Sequence, residues 1–110
     1  MDNDLTNMNN RYLGKDDPKY HNNRAIDFLA GKHYDKALNE INMAIELDPE
    51  NALYYYNRGR IMNAQGKIED ALKDYEKAIT LDPNNPKYHS SKGAILVVLE
   101  RYEDAINEYD

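Results

Sequence analysis

The sequence contains no cysteine and no tryptophan, and no apolar run in it approaches the roughly 20 residues needed to span a bilayer. Without cysteine, neither a disulfide framework nor a thiolate metal site can form, which fits a reducing compartment. The opening residues Met1-Asp2-Asn3-Asp4 are polar and acidic, the wrong start for a secretory signal. Cytoplasm is therefore the expected location, by elimination, and no membrane insertion is expected. Positive charge is also in short supply: 14 Lys and Arg stand against 20 Asp and Glu, a net charge of -6. Phosphate binding draws on an excess of basic residues, so nucleic acid is not the expected partner. Catalysis needs a nucleophile with a base, a metal, or carboxylates clustered in a cleft. No HExxH, P-loop or GxSxG motif occurs. No enzyme, no cofactor and no metal site is expected.

What the chain has in quantity is tyrosine, ten residues among 110. Their placement is periodic. Shifting the sequence by 34 aligns small residues at Ala25, Gly59 and Gly93, and again at Ala37, Ala71 and Ala105. Aromatics align as Tyr20, Tyr54 and Tyr88, followed one place later by His21, Tyr55 and His89. Apolar residues align as Phe28, Met62 and Leu96, as Tyr34, Ile68 and Tyr102, and as Ile41, Tyr75 and Tyr109. Ala44-Ile45-Glu46-Leu47-Asp48-Pro49 returns as Ala78-Ile79-Thr80-Leu81-Asp82-Pro83. A fixed period of this length is the mark of a repeat architecture.

Each period reads as two helices. Tyr55, Arg58, Gly59 and Met62 fall on one helical face, Gly66 breaks the rhythm, and Ile68, Ala71, Leu72, Tyr75, Ala78 and Ile79 resume it. Asp82-Pro83 ends the second helix, because proline disfavours helix at the residue before it. Glu69-Asp70 and Glu103-Asp104 read as starts of second helices, where carboxylates complement the helix dipole. The small residues have a geometric reason: helices crossing at about 8–10 Å leave no room for a larger side chain at the contact. Gly59 and Ala71 let one pair close.

These residues resemble the tetratricopeptide repeat, over Pro18 to Asp110. The resemblance implies an all-α fold, a right-handed α-solenoid of antiparallel helix pairs about 2.7 repeats long. Repeats are expected over 18–51, 52–85 and a truncated 86–110, after a flexible polar N-terminal tail over 1–17. His21 and His89, at an aromatic position of the repeat, and Arg24, Arg58 and Lys92, at a leucine position, depart from the family pattern. Gly31 sits one place earlier than Gly66 does in the next repeat. His21 and His89 are expected to pack, and His33 to be solvated in a turn.

The resemblance also implies that first helices line a concave groove. The groove positions are Lys19, Asn22, Asn23, Ile26, Leu29 and Ala30, then Leu53, Tyr56, Asn57, Arg60, Asn63 and Ala64, then Lys87, Ser90, Ser91, Ala94, Val97 and Val98. None is acidic, although the chain holds twenty acids. Lys19, Arg60 and Lys87 offer charge to carboxylates, Asn23 and Asn57 offer amides to a peptide backbone, and the aliphatic residues offer an apolar floor. The expected function is a protein-binding adaptor or scaffold that takes a peptide or helix with acidic and apolar residues. Some relatives grip the C-terminal carboxylate of chaperones with five residues. Asn57 and Lys87 match two of them, but Asn22, Ile26 and Ser91 stand where Lys, Asn and Arg belong, so that clamp is not expected.

Two alternatives stand beside the adaptor. Because the third repeat lacks its final positions, Leu96, Leu99, Tyr102, Ile106 and Tyr109 are expected to be incompletely covered, a face on which a homo-oligomer can build. The other is the targeting segment of a larger multidomain enzyme, and the missing positions also fit a piece of a longer repeat array.

Overall fold

The computed structural model describes residues 14–109, with side chains as far as Ile106. Five helices occur among them: α1 (Pro18–Ala30), α2 (Tyr34–Leu47), α3 (Ala52–Ala64), α4 (Ile68–Leu81) and α5 (Pro86–Tyr109). The fold is an all-α helical repeat. Residues through Glu50 form one compact unit and those from Asn51 a second.

First helices start on a side-chain cap. Asp17, Asn51 and Asn85 accept the backbone N–H of Lys19, Leu53 and Lys87 at 2.9, 3.1 and 3.0 Å. These caps recur at the repeat spacing and satisfy donors that the helix itself cannot. Second helices lack a side-chain cap but carry acids in their first turn, Asp35 in α2 and Glu69 and Asp70 in α4. They end at Asp48 and Asp82, each of which leaves the helical conformation immediately before a proline.

In the first unit α1 packs on α2, with Ala25, Ala37, Ile41 and Ala44 fully buried. Residues 1–13 of the expected tail lie outside the described residues. Residues 14–17 form a turn closed by the Asp17 N–H donating to the Gly14 carbonyl at 3.1 Å. The turn between α1 and α2 puts Lys32, not Gly31, in the left-handed region, at φ 63°. Gly66 occupies the same place between α3 and α4 at φ 82°. The one-place shift of the glycine therefore leaves a lysine in a conformation that only glycine adopts without strain.

In the second unit α4 packs on both α3 and α5. Ala71, Tyr75 and Ile95 make one core with Met62, Ile68, Leu72 and Leu99 around it; Ala52, Ala78 and Tyr88 make another with Tyr55, Ile79 and Leu81. Tyr56 packs against both. At Gly59 a Cβ would sit 2.6 Å from Tyr75 Cε1 and 3.3 Å from the Ala71 carbonyl oxygen. The close approach expected at Gly59 and Ala71 is real, and the ring of Tyr75 makes it closest.

The third repeat corrects the expectation. No turn separates a first from a second helix; α5 runs unbroken for 24 residues, and Glu103-Asp104 lie within it. The reason is local. Leu99-Glu100-Arg101 stands one period after Gln65-Gly66-Lys67, and its three residues are good helix formers with no glycine among them. In consequence Gly93, the repeat equivalent of Gly59, has no atom within 4 Å of where its Cβ would be.

Candidate functional site

On α3 of the second unit, Asn57 and Arg60 are one turn apart, and Arg60 Nη1 donates to Asn57 Oδ1 at 3.1 Å. The guanidinium also lies over the Tyr56 ring, 5.9 Å from its centroid. Tyr56 is itself held by Tyr88 of α5 and Tyr75 of α4, with ring centroids 4.9 and 5.8 Å away. Arg60 is thus half-buried and anchored at two points, which restricts its rotamers. Burial pushes the Tyr75 hydroxyl up to about 12, with the neighbouring Tyr56 adding to the rise and Arg60 opposing it. The Tyr75 hydroxyl therefore stays protonated at ordinary pH.

The other expected groove residues of this unit divide by exposure. Asn57 is buried at 2 %, so its amide serves to orient Arg60. Asn63, Lys87, Ser90 and Ala94 are exposed and Ser91 is half-buried. Leu53 and Val97 are 42 and 46 % exposed, an apolar surface beside the basic residues. In the first unit, Lys19 and Asn23 of α1 are exposed, Ile26 and Leu29 half-buried, and Asn22 buried at 6 %.

Arg24 and Arg58, which depart from the family pattern at a leucine position, form ion pairs with acids of the following helix. Arg58 of α3 forks onto Asp74 of α4, Nε to Oδ2 at 2.9 Å and Nη2 to Oδ1 at 2.8 Å. The hydrogen bond to Asp74 raises the Arg58 pKa further, against the effect of burial. One period earlier Arg24 Nε donates to Glu40 Oε1 at 2.9 Å. A basic residue followed sixteen places later by an acid, twice at the repeat offset, is the signal that announces both pairs.

Glu40 has a second partner in His21, whose Nδ1 lies 2.6 Å from Oε2 while its Nε2 donates to the Lys15 carbonyl at 2.7 Å. Burial raises the Glu40 pKa, but the hydrogen bonds from His21 and Arg24 outweigh it and hold the carboxylate below its usual range. His21 is buried edge-on to Tyr20, with ring centroids 5.1 Å apart. His33 is exposed in its turn; His89, expected to pack, is exposed as well, because its Nε2 donates to the Pro83 carbonyl at 2.6 Å. No group of three or more metal-ligating side chains occurs among the described residues. An open recess of about 460 Å³ on the first unit is lined by Tyr20, His21, Arg24, Met43 and Leu47 among others.

On α5, Leu96, Tyr102 and Ile106 are 45, 60 and 62 % exposed, whereas Leu99 packs on the core of Ala71, Tyr75 and Ile95. The side chain of Tyr109 lies outside the described residues. No described helix is long and apolar enough to cross a membrane.

Comparison with known proteins agrees with this architecture. A family model described as TPR repeat matches residues 27–66 and 59–98. The first TPR of Spaghetti (RPAP3), solved bound to the HSP90 peptide SRMEEVD, is 30% identical, with a TM-score of 0.73 over 77% of this chain and 68% of that one. The first TPR domain of human RPAP3 is 31% identical, with a TM-score of 0.75 over 80% of this chain and 69% of that one. The TPR domain of Arabidopsis OM64 is 28% identical, with a TM-score of 0.74 over 84% and 76%. No curated protein sequence matches the chain. Repeat period, paired helices and these likenesses agree: the chain belongs to the TPR repeat family.

Proposed function

We propose that this chain is a peptide-binding adaptor whose second unit holds a segment with acidic and apolar residues along α3 and α5. The observation that carries the reading is Arg60, held by Asn57 and the Tyr56 ring on a helix face without a single acid. A carboxylate of the ligand pairs with this preorganised guanidinium, and Lys87 adds a second positive charge. Leu53 and Val97 receive the ligand's apolar side chains. The α1 face of the first unit has the same composition, with Lys19 and Asn23 exposed and no acid at its groove positions.

The likeness to an RPAP3 domain solved with an HSP90 peptide supports a peptide ligand with acidic residues. It does not extend to the five-residue clamp, since only Asn57 and Lys87 match and Asn22, Ile26 and Ser91 differ. Recognition here therefore draws on side chains along the ligand more than on its terminal carboxylate. Fluorescence anisotropy with labelled SRMEEVD, and with the same peptide amidated at its C-terminus, tests this. Comparable affinity for the two, lost in Arg60→Glu and reduced in Asn57→Ala at unchanged helicity, is the expected result. Binding that is indifferent to both substitutions would remove this face from the account.

A further inference from the structure

Four features of α5 are unsatisfied in the same region. Gly93 faces open space where its equivalent Gly59 is filled by the Tyr75 ring. Leu96 is 45 % exposed, whereas Met62, one period earlier, is half-buried against the Ala71–Tyr75–Ile95 core. Lys92 has Glu76 at 3.9 Å, whereas Arg58 makes a two-bond fork to Asp74. Tyr102 and Ile106 are the most exposed large apolar residues described, at 60 and 62 %.

The repeat supplies each with a partner in the same helix. One period after Ala71, Asp74 and Tyr75 stand Ala105, Glu108 and Tyr109, and one period after Ile68 and Leu72 stand Tyr102 and Ile106. Within a straight α5 none of these can reach its counterpart. Ala105 is twelve residues beyond Gly93, about 18 Å along the axis at 1.5 Å per residue. Bending α5 back requires a turn at Leu99-Glu100-Arg101, where nothing favours the left-handed residue that both other turns use.

We infer that the C-terminal half of α5 exchanges between two copies of this chain. Two α5 helices lie antiparallel about a two-fold axis near Glu100, and each copy's residues from Tyr102 onward take the place of the missing second helix on the other. Ala105 of the second copy meets Gly93, and Tyr102 and Ile106 meet Leu96. Symmetry forms every contact twice, an isologous and closed interface. The site at Gly93 is incomplete without the second copy. This inference does not rest on the peptide-binding reading.

The absence of native cysteine makes a direct test possible. In the 110-residue chain carrying Gly93→Cys and Ala105→Cys, mild oxidation should give a covalent dimer, because a disulfide needs Cα atoms within about 7 Å. Multi-angle light scattering of the native sequence should show a dimer at high concentration. Gly93→Leu, which fits the open space of a single α5 but blocks the helix contact, should raise the dissociation constant at least tenfold with helicity retained by circular dichroism. A disulfide formed within one chain, a single-chain mass at every concentration, or a dimer indifferent to Gly93→Leu would each overturn the exchange.

Discussion

The ring of Tyr75 occupies the space in which a side chain on residue 59 would begin, with Cε1 and Cδ1 2.6 and 2.8 Å from a Cβ built there. Residue 59 is thus glycine because α3 and α4 close through it. Gly59→Ala must displace a buried ring and should cost about 1–3 kcal/mol. Gly93→Ala meets no atom within 4 Å. At protein concentrations low enough to keep the chain single, it should stabilise α5 by about 0.5–1 kcal/mol through helix propensity. Urea unfolding of the two variants checks the opposite signs.

The two inter-helix turns make a second matched pair. Lys32 and Gly66 share the left-handed conformation, and only Lys32 carries a Cβ in it. Lys32→Gly should stabilise the protein, by up to about 1 kcal/mol, since strain relief of about 1–2 kcal/mol is partly offset by the freer unfolded chain. Gly66→Ala should destabilise by about 1 kcal/mol although nothing surrounds the site. Thermal melts of both variants beside the native sequence decide it.

How far the fold was legible in the sequence follows from which interactions are periodic. The 34-residue repeat of small and apolar residues sufficed for α1 to α4, because each packs as its repeat equivalent does. Gly93 and Ala105 repeat the same pattern, yet α5 runs straight. The pattern encodes which residues can meet, while the bend depends on three residues at 99–101 that favour helix. The basic residues at 24 and 58 were visible only as departures from leucine; read together with the acids sixteen residues later, they announce ion pairs. At the candidate surface, charge was legible and orientation was not. The tie between Asn57 and Arg60 depends on rotamers set by the Tyr56, Tyr75 and Tyr88 stack.

Those ion pairs differ in burial and should differ in worth. The Asp74 side chain is 8% exposed and Arg58 26%, so Arg58→Ala leaves a buried carboxylate without its fork. A loss of about 3 kcal/mol is expected. Arg24→Ala should cost clearly less, since Arg24 is 44% exposed and Glu40 keeps its bond to His21. A double-mutant cycle on Arg58 and Asp74 by chemical denaturation measures the coupling.

Alkali provides a further check. Because the Tyr75 hydroxyl is pushed up to about 12 by burial, the folded state keeps a proton that the unfolded chain releases above about pH 10. The unfolded state then binds fewer protons, so stability falls as pH rises from about 10 to 12, by about 2–3 kcal/mol in all. Tyr75→Phe should flatten this limb while leaving stability near pH 7 little changed, which melts between pH 7 and 12 would show.

The claim on which the functional account turns is that ligand lies on α3 and α5 around Arg60. Backbone amide shifts followed by NMR while SRMEEVD is titrated into the labelled protein report that position most directly. The account predicts shifts concentrated at Tyr56, Asn57, Arg60, Lys87 and Ser91, and absent when Arg60→Glu is titrated. Shifts centred on α4, or saturable binding that leaves α3 unmoved, would contradict it.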